Sequence, residues 1–144
     1  MIEQVSVFLE NSTGRLAELT RALGDAGIDM HALMVADTEN FGVVRIICDT
    51  PRAARSILED LGFSASLTQV IAVEVPDRPG GLASVLEALG RASKNVEYAY
   101  CFVEPSGDAA VDVIKVDDPS AEDALVSGGF AVLQADAIYA TDSE

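Results

Sequence analysis

The sequence predicts an α+β protein made of two βαββαβ units, residues 1–69 and 70–144. Three observations carry this expectation. The run Val7-Phe8-Leu9-Glu10-Asn11-Ser12-Thr13-Gly14-Arg15-Leu16-Ala17 returns as Val73-Glu74-Val75-Pro76-Asp77-Arg78-Pro79-Gly80-Gly81-Leu82-Ala83, with Gly14 and Gly80, Leu19 and Val85, and Leu23 and Leu89 all at one spacing. Each copy then passes between strand-like and helix-like periodicity in the same order. A chain of 144 residues with 49% hydrophobic content suffices for two small units that share burial.

In the first copy, Val5, Val7 and Leu9 alternate with Ser6, Phe8 and Glu10, the period of a strand. Leu16, Leu19 and Leu23 recur at helical spacing until Gly24 and Gly27 end the helix. Ile28 to Ala36 and Gly42 to Cys48 are β-rich runs joined by Asp37-Thr38-Glu39-Asn40, a connection of hairpin length, so they should pair antiparallel. Pro51 suits the first turn of a second helix, in which Ala54, Ile57, Leu58 and Leu61 form the buried stripe before Gly62. Phe63 to Thr68 supplies the last strand of the copy.

The second copy predicts strand 70–75, helix 80–92, strands 96–103 and 110–116, helix 119–127 and strand 131–139. This order is the split βαβ arrangement, a four-stranded antiparallel sheet with both helices on one face. The other face also carries large apolar groups, because Phe8 shares a strand with Val7 and Val43 shares one with Val44. A second copy of the chain is the simplest cover, so a homodimer is expected. A sheet continuous between the repeats removes one pair of open edges.

Composition narrows the function. A net charge of −15 repels a phosphate backbone, which excludes nucleic acid as a partner and fits a soluble cytoplasmic protein. No apolar run is long enough to span a bilayer, and the start of the chain shows no export signal, so no membrane association is expected. Cys48 and Cys101 lie in apolar runs without metal-ligand spacing and read as buried small hydrophobes. No nucleophile–base pair, metal cluster or phosphate loop is visible, so neither catalysis nor a cofactor is expected.

The polar turns 11–14 and 77–80 lie between a strand and the amino end of a helix, where backbone N–H groups lack intrahelical partners. Such an end favours an anion, so the carboxylate of a small ligand fits the amides around Gly14-Arg15-Leu16 or Gly80-Gly81-Leu82. Asn11 or Asp77, within one turn, can accept a hydrogen bond from an ammonium. The alternative is ordinary helix capping by the same Asn, Ser, Thr and Asp side chains. By charge the first turn is favoured, since Asp77 repels a carboxylate unless Arg78 offsets it.

Val5 to Asp49 and Ile71 to Asp117 both resemble the ACT domain, a small regulatory amino-acid-binding module. The marks are the glycine turns after an apolar strand, the helix behind them, and the Gly27-Ile28-Asp29-Met30 or Asn95-Val96-Glu97-Tyr98 entry into the next strand. The first half is especially similar to the ACT segment of acetolactate synthase regulatory subunits, and the whole to stand-alone tandem ACT proteins. The resemblance implies a ferredoxin-like fold paired through its second strands into an eight-stranded antiparallel sheet with four helices on one face. It also implies a free amino acid as effector, bound where the turn of one domain meets the second strand of its neighbour. By position, Asn11, Thr13, Gly14, Arg15 and Leu16 would face Tyr98, Tyr100 and Cys101, and Asp77, Gly80, Gly81 and Leu82 would face Met30, His31 and Leu33. Thr13 departs from the proline common before the turn glycine in the family, whereas Pro79 keeps it.

His31 is the only histidine, and in the sequence it lacks the partners that a metal site or acid–base catalysis needs. The expected function is a non-catalytic regulatory protein whose ligand state is read by a separate enzyme. The alternative is a dimerisation or regulatory-subunit scaffold that has lost its ligand. An enzyme using Cys101 or Asp77 lacks any activating partner. A tandem RNA-binding module lacks the basic aromatic motif and has the wrong charge.

Overall fold

The computed structural model describes residues 1–37, 40–103 and 109–143. Chain contacts divide it into two compact units, Glu3–Thr68 with the segment from Ala135 onward, and Gln69–Gln134 with Met1–Ile2. We call these the first and second units.

The first unit is built from β1 (Ile2–Glu10), α1 (Arg15–Asp25), β2 (Met30–Asp37), β3 (Phe41–Cys48), α2 (Pro51–Asp60) and the opening of β4 (Ser64–Pro76). Its strands lie in the order β2-β3-β1-β4. β2 and β3 pair antiparallel as expected, although Thr38 and Glu39 of their predicted hairpin connection lie outside the described residues. Alternation sends Val5, Val7 and Leu9 of β1 and Val44, Ile46 and Cys48 of β3 to one face, where Leu19 and Leu23 of α1 and Ala54 and Leu58 of α2 cover them. Both helices therefore share a face, as the periodicity predicts.

The second unit continues along β4 and adds α3 (Gly81–Arg91), β5 (Val96–Val103), β6 (Ala109–Val116), α4 (Ala121–Ser127) and β7 (Val132–Leu133). β4 pairs with β6 and β7, and β6 pairs with β5. Val85 and Leu89 of α3 and Ala121 and Leu125 of α4 bury against Ile71, Val73, Val75, Ile114 and Val116. No helix among the described residues is long and apolar enough to cross a membrane.

Seven strands are present among the described residues, not the eight expected. The last strand of the first repeat and the first strand of the second are one element, β4. Ser64 to Val75 contains no glycine or proline to interrupt it, and Thr68, Val70, Ile71, Val73 and Val75 favour extended backbone across the junction. The predicted strand 131–139 is also shorter, since β7 holds two residues and a 3₁₀ turn follows at Ala135–Ala137. Beyond it, Tyr139 is buried and its hydroxyl accepts the Glu3 N–H at 3.0 Å within the first unit.

All four helices end alike. The N–H two residues past the cap returns to the carbonyl five residues earlier, as from Ile28 to Leu23, Phe63 to Leu58, Lys94 to Leu89 and Phe130 to Leu125. Left-handed backbone at the intervening residue makes this geometry. Glycine supplies it at 27, 62 and 129, and Ser93 adopts it at φ 57°.

Candidate functional site

The first turn leaves β1 at Glu10 and enters α1 through Gly14, whose φ of 90° lies in the left-handed region. Backbone bonds shape it: Ser12 N–H donates to Glu10 O at 2.8 Å, Arg15 N–H to Ser12 O at 3.3 Å and Glu18 N–H to Gly14 O at 2.9 Å. The residue at the cap position is glycine, and no side chain caps the helix. The alternative of Asn, Ser or Thr capping is therefore not what the chain does. Asn11, Thr13 and Gly14 are exposed, and so is Leu16. Arg15 is engaged locally, its guanidinium 4.6 Å over the Phe63 ring and its Nη1 2.8 Å from Glu18 Oε2.

The second turn repeats the plan. Arg78 N–H donates to Pro76 O at 2.9 Å, Gly81 N–H to Arg78 O at 3.0 Å and Ser84 N–H to Gly80 O at 3.1 Å, while Gly80 sits at φ 85° with no side-chain cap. Gly81 is buried, and a Cβ there would stand 2.3 Å from Pro76 O, so only glycine lets α3 approach the strand this closely. Asp77, Gly80 and Leu82 are exposed.

Both second strands carry a β-bulge at the same place. The register shifts between Met30 and Ala32 in β2 and between Val96 and Tyr98 in β5, so His31 and Glu97 are the extra residues. Met30 and Leu33 consequently both lie on the helix-covered face, opposite Cys48 and Ile46. In β5, Tyr98 and Tyr100 share one face, and Cys101, opposite Asp112, lies on the other. Cys101 is exposed, contrary to the expectation that both cysteines are buried. Cys48 is buried, and burial together with the nearby Asp49 and Asp142 carboxylates pushes its thiol up to about 12.

The fold gives His31 the partners that its sequence context lacks. Its Nε2 is 2.8 Å from Asp49 Oδ1, and ligand atoms of Asp29, His31 and Asp49 all lie within 4.8 Å of one another. Asp49 Oδ1 also accepts the Ala140 N–H at 2.7 Å. The hydrogen bonds from His31 and Ala140 hold the Asp49 carboxyl below its usual range. The three side chains are of metal-ligating type, and in the described structure one of them, Asp49, fastens the C-terminal segment while His31 bonds to Asp49.

Asp112 was invisible to motif reasoning, although its sequence signal exists. Ala110, Asp112, Ile114 and Val116 alternate along β6, so the carboxylate stands in an apolar series. It is 3% exposed, no hydrogen bond or ion pair with a described residue engages it, and burial pushes its pKa up.

Known proteins share the fold that carries these turns. A family model for an ACT domain pair matches residues 1–132. No curated protein matches the sequence. Among solved structures, protein BT0572 from Bacteroides thetaiotaomicron is similar at 34% identity, covering 92% of each chain with a TM-score of 0.87. The ligand-free regulatory subunit of aspartate kinase from Thermus thermophilus shares the fold at 19% identity, covering 87% of this chain and 89% of its own with a TM-score of 0.67. The regulatory subunit from Thermus flavus does so at 20% identity, covering 88% and 90%, with a TM-score of 0.65.

Proposed function

We propose a regulatory, non-catalytic, amino-acid-binding role for this chain, which belongs to the ACT domain pair family. The observation that carries the reading is the pair of uncapped helix starts. α1 and α3 each begin at a left-handed glycine with no side chain over the amides, in the same place in each unit. Backbone N–H groups at such an end attract a carboxylate, and the exposed Asn11 and Asp77 stand beside them as ammonium acceptors. An open depression of about 590 Å³ borders Gly14, Ala17 and Glu18. The fold is that of proteins described as aspartate kinase regulatory subunits, which supports a partner enzyme that reads the ligand state.

In the full reading, the ligand lies where a glycine turn meets the second strand of a neighbouring ACT unit, and the protein acts in the cytoplasm as a homodimer. Exposed Phe8 and Phe41 on the sheet face away from the helices, and exposed Leu33, Val35 and Val103 on the edge strands, favour self-association. Calorimetry and thermal shift against the twenty common amino acids test the function. A ligand should raise the melting temperature, and the shift should keep growing with the logarithm of ligand concentration above the Kd. If none produces heat or a shift, the scaffold reading replaces it, and the mass in solution then decides whether the chain pairs.

A further inference from the structure

The two units close the same corner of the fold with different chemistry. Asp49 follows β3 as Asp117 follows β6, and each N–H donates to a carbonyl just before the bulged strand, Asp49 to Asp29 O at 3.0 Å and Asp117 to Asn95 O at 3.3 Å. The bulge residues are His31 and Glu97, so Asp29, His31 and Asp49 of the first unit correspond to Asn95, Glu97 and Asp117 of the second.

The second unit balances this corner with its own side chains. Glu97 pairs with Lys115 at 3.2 Å, and Asp117 Oδ1 accepts the Asn95 N–H at 3.1 Å. The first unit has no such cation. Cys48 lies opposite Met30 as Val116 lies opposite Val96, so Ile47 stands where the second unit has Lys115. Among the described residues, no lysine or arginine pairs with Asp29 or Asp49, and the net charge of −15 adds to the attraction for a positive ion.

The donor atoms are already gathered. One ligand atom from each of the three side chains lies within 4.8 Å of the others, and His31 Nε2 is 2.8 Å from Asp49 Oδ1. Two donors at right angles on an ion with bonds of about 2.1 Å stand about 3 Å apart, so His31 and Asp49 already have the spacing of neighbouring ligands. The exposed Asp29 carboxylate has no partner among the described residues that would hold it away. Asp49 can keep the Ala140 N–H while it binds an ion, because a carboxylate offers two oxygens and about four lone-pair sites.

We propose that Asp29, His31 and Asp49 form a site for a divalent first-row transition ion such as zinc, with water completing the coordination. One imidazole and two carboxylates suit zinc, cobalt, nickel or manganese, whereas calcium and magnesium prefer oxygen alone. His31 Nε2 ligates through its lone pair, so its proton passes to Nδ1 or to solvent. The ion then ties the bulge of β2 to the end of β3 and, through Asp49, to the C-terminal segment. None of this depends on the glycine turns or on amino-acid binding.

The experiment uses the full chain, freed of metal by a chelator and titrated with zinc by calorimetry and with cobalt by visible absorption. Zinc should bind wild type and raise its melting temperature. Asp29→Asn should weaken zinc by about tenfold or more, since even outer-shell changes cost that much, and should leave the metal-free melting temperature unchanged because Asp29 has no side-chain partner to lose. His31→Ala should remove the cobalt absorption that an imidazole ligand produces. Zinc affinity unchanged in both variants, or no zinc-dependent heat or melting shift in wild type, overturns the site.

Discussion

Asp49 holds Ala140: the Oδ1 atom accepts the Ala140 N–H at 2.7 Å, while Ala140 O accepts the Thr50 N–H at 2.7 Å in return. The same oxygen meets His31 Nε2, so a single carboxylate joins the bulge in β2, the end of β3 and the C-terminal segment. Because Asp49 titrates below its ordinary 3.8, its contribution is complete above that value and is lost as pH falls through the depressed one. Asp49→Ala should cost about 1 kcal/mol at pH 7 and flatten stability against pH below about 4. Hydrogen exchange at Ala140 N–H checks the cause, since it should accelerate in the variant.

Asp142 caps a helix that cannot cap itself. Thr50 at the start of α2 is in a left-handed conformation, φ 41°, with no side-chain cap, and the Asp142 carboxylate instead accepts the Arg52 and Ala53 N–H groups at 3.0 Å each. Asp142→Ala should destabilise the first unit by about 1 kcal/mol, and Asp142→Asn should recover only part of that, because the amide keeps one accepting oxygen and turns a donor toward the second N–H. Urea unfolding measures both.

Asp112 predicts a stability change of the opposite sign. Its raised pKa means that the folded chain binds the proton more tightly than the unfolded chain, so stability falls as pH rises from 3.8 through the raised value. Asp112→Val should therefore stabilise the protein at pH 7 by about 1–3 kcal/mol, with the advantage shrinking in acid. Equal melting temperatures across pH would contradict it.

Two glycines of α3 should respond in opposite directions. Gly81→Ala places a Cβ 2.3 Å from Pro76 O, a backbone atom that cannot yield without moving the turn, and should cost about 2 kcal/mol or more. Gly90→Ala meets nothing within 4 Å and should gain about 0.5 kcal/mol from helix propensity. Thermal unfolding of the pair separates close packing from backbone freedom.

Much of this architecture is written locally. Alternation in Val5, Val7 and Leu9 and helical spacing in Leu19 and Leu23 predict the elements and the buried faces, because periodicity records which side of an element meets the core. The repeated turn predicts two equivalent helix starts, and the glycine at each cap position keeps side chains off the amides. Tertiary structure decided what local pattern cannot report. No turn signal separates residues 68 and 70, and extended backbone on both sides merged two predicted strands into β4. Asp49 is distant in sequence from Asp29 and His31 and meets them only when β2 and β3 pair, and Asp142 reaches α2 from the far end of the chain. Asp112 shows the division most directly: its place in an apolar series is visible in the sequence, but its burial without a partner among the described residues is a property of all the segments that pack around it. Burial pattern is set by near neighbours, whereas charge compensation depends on which distant groups the fold brings within hydrogen-bonding reach.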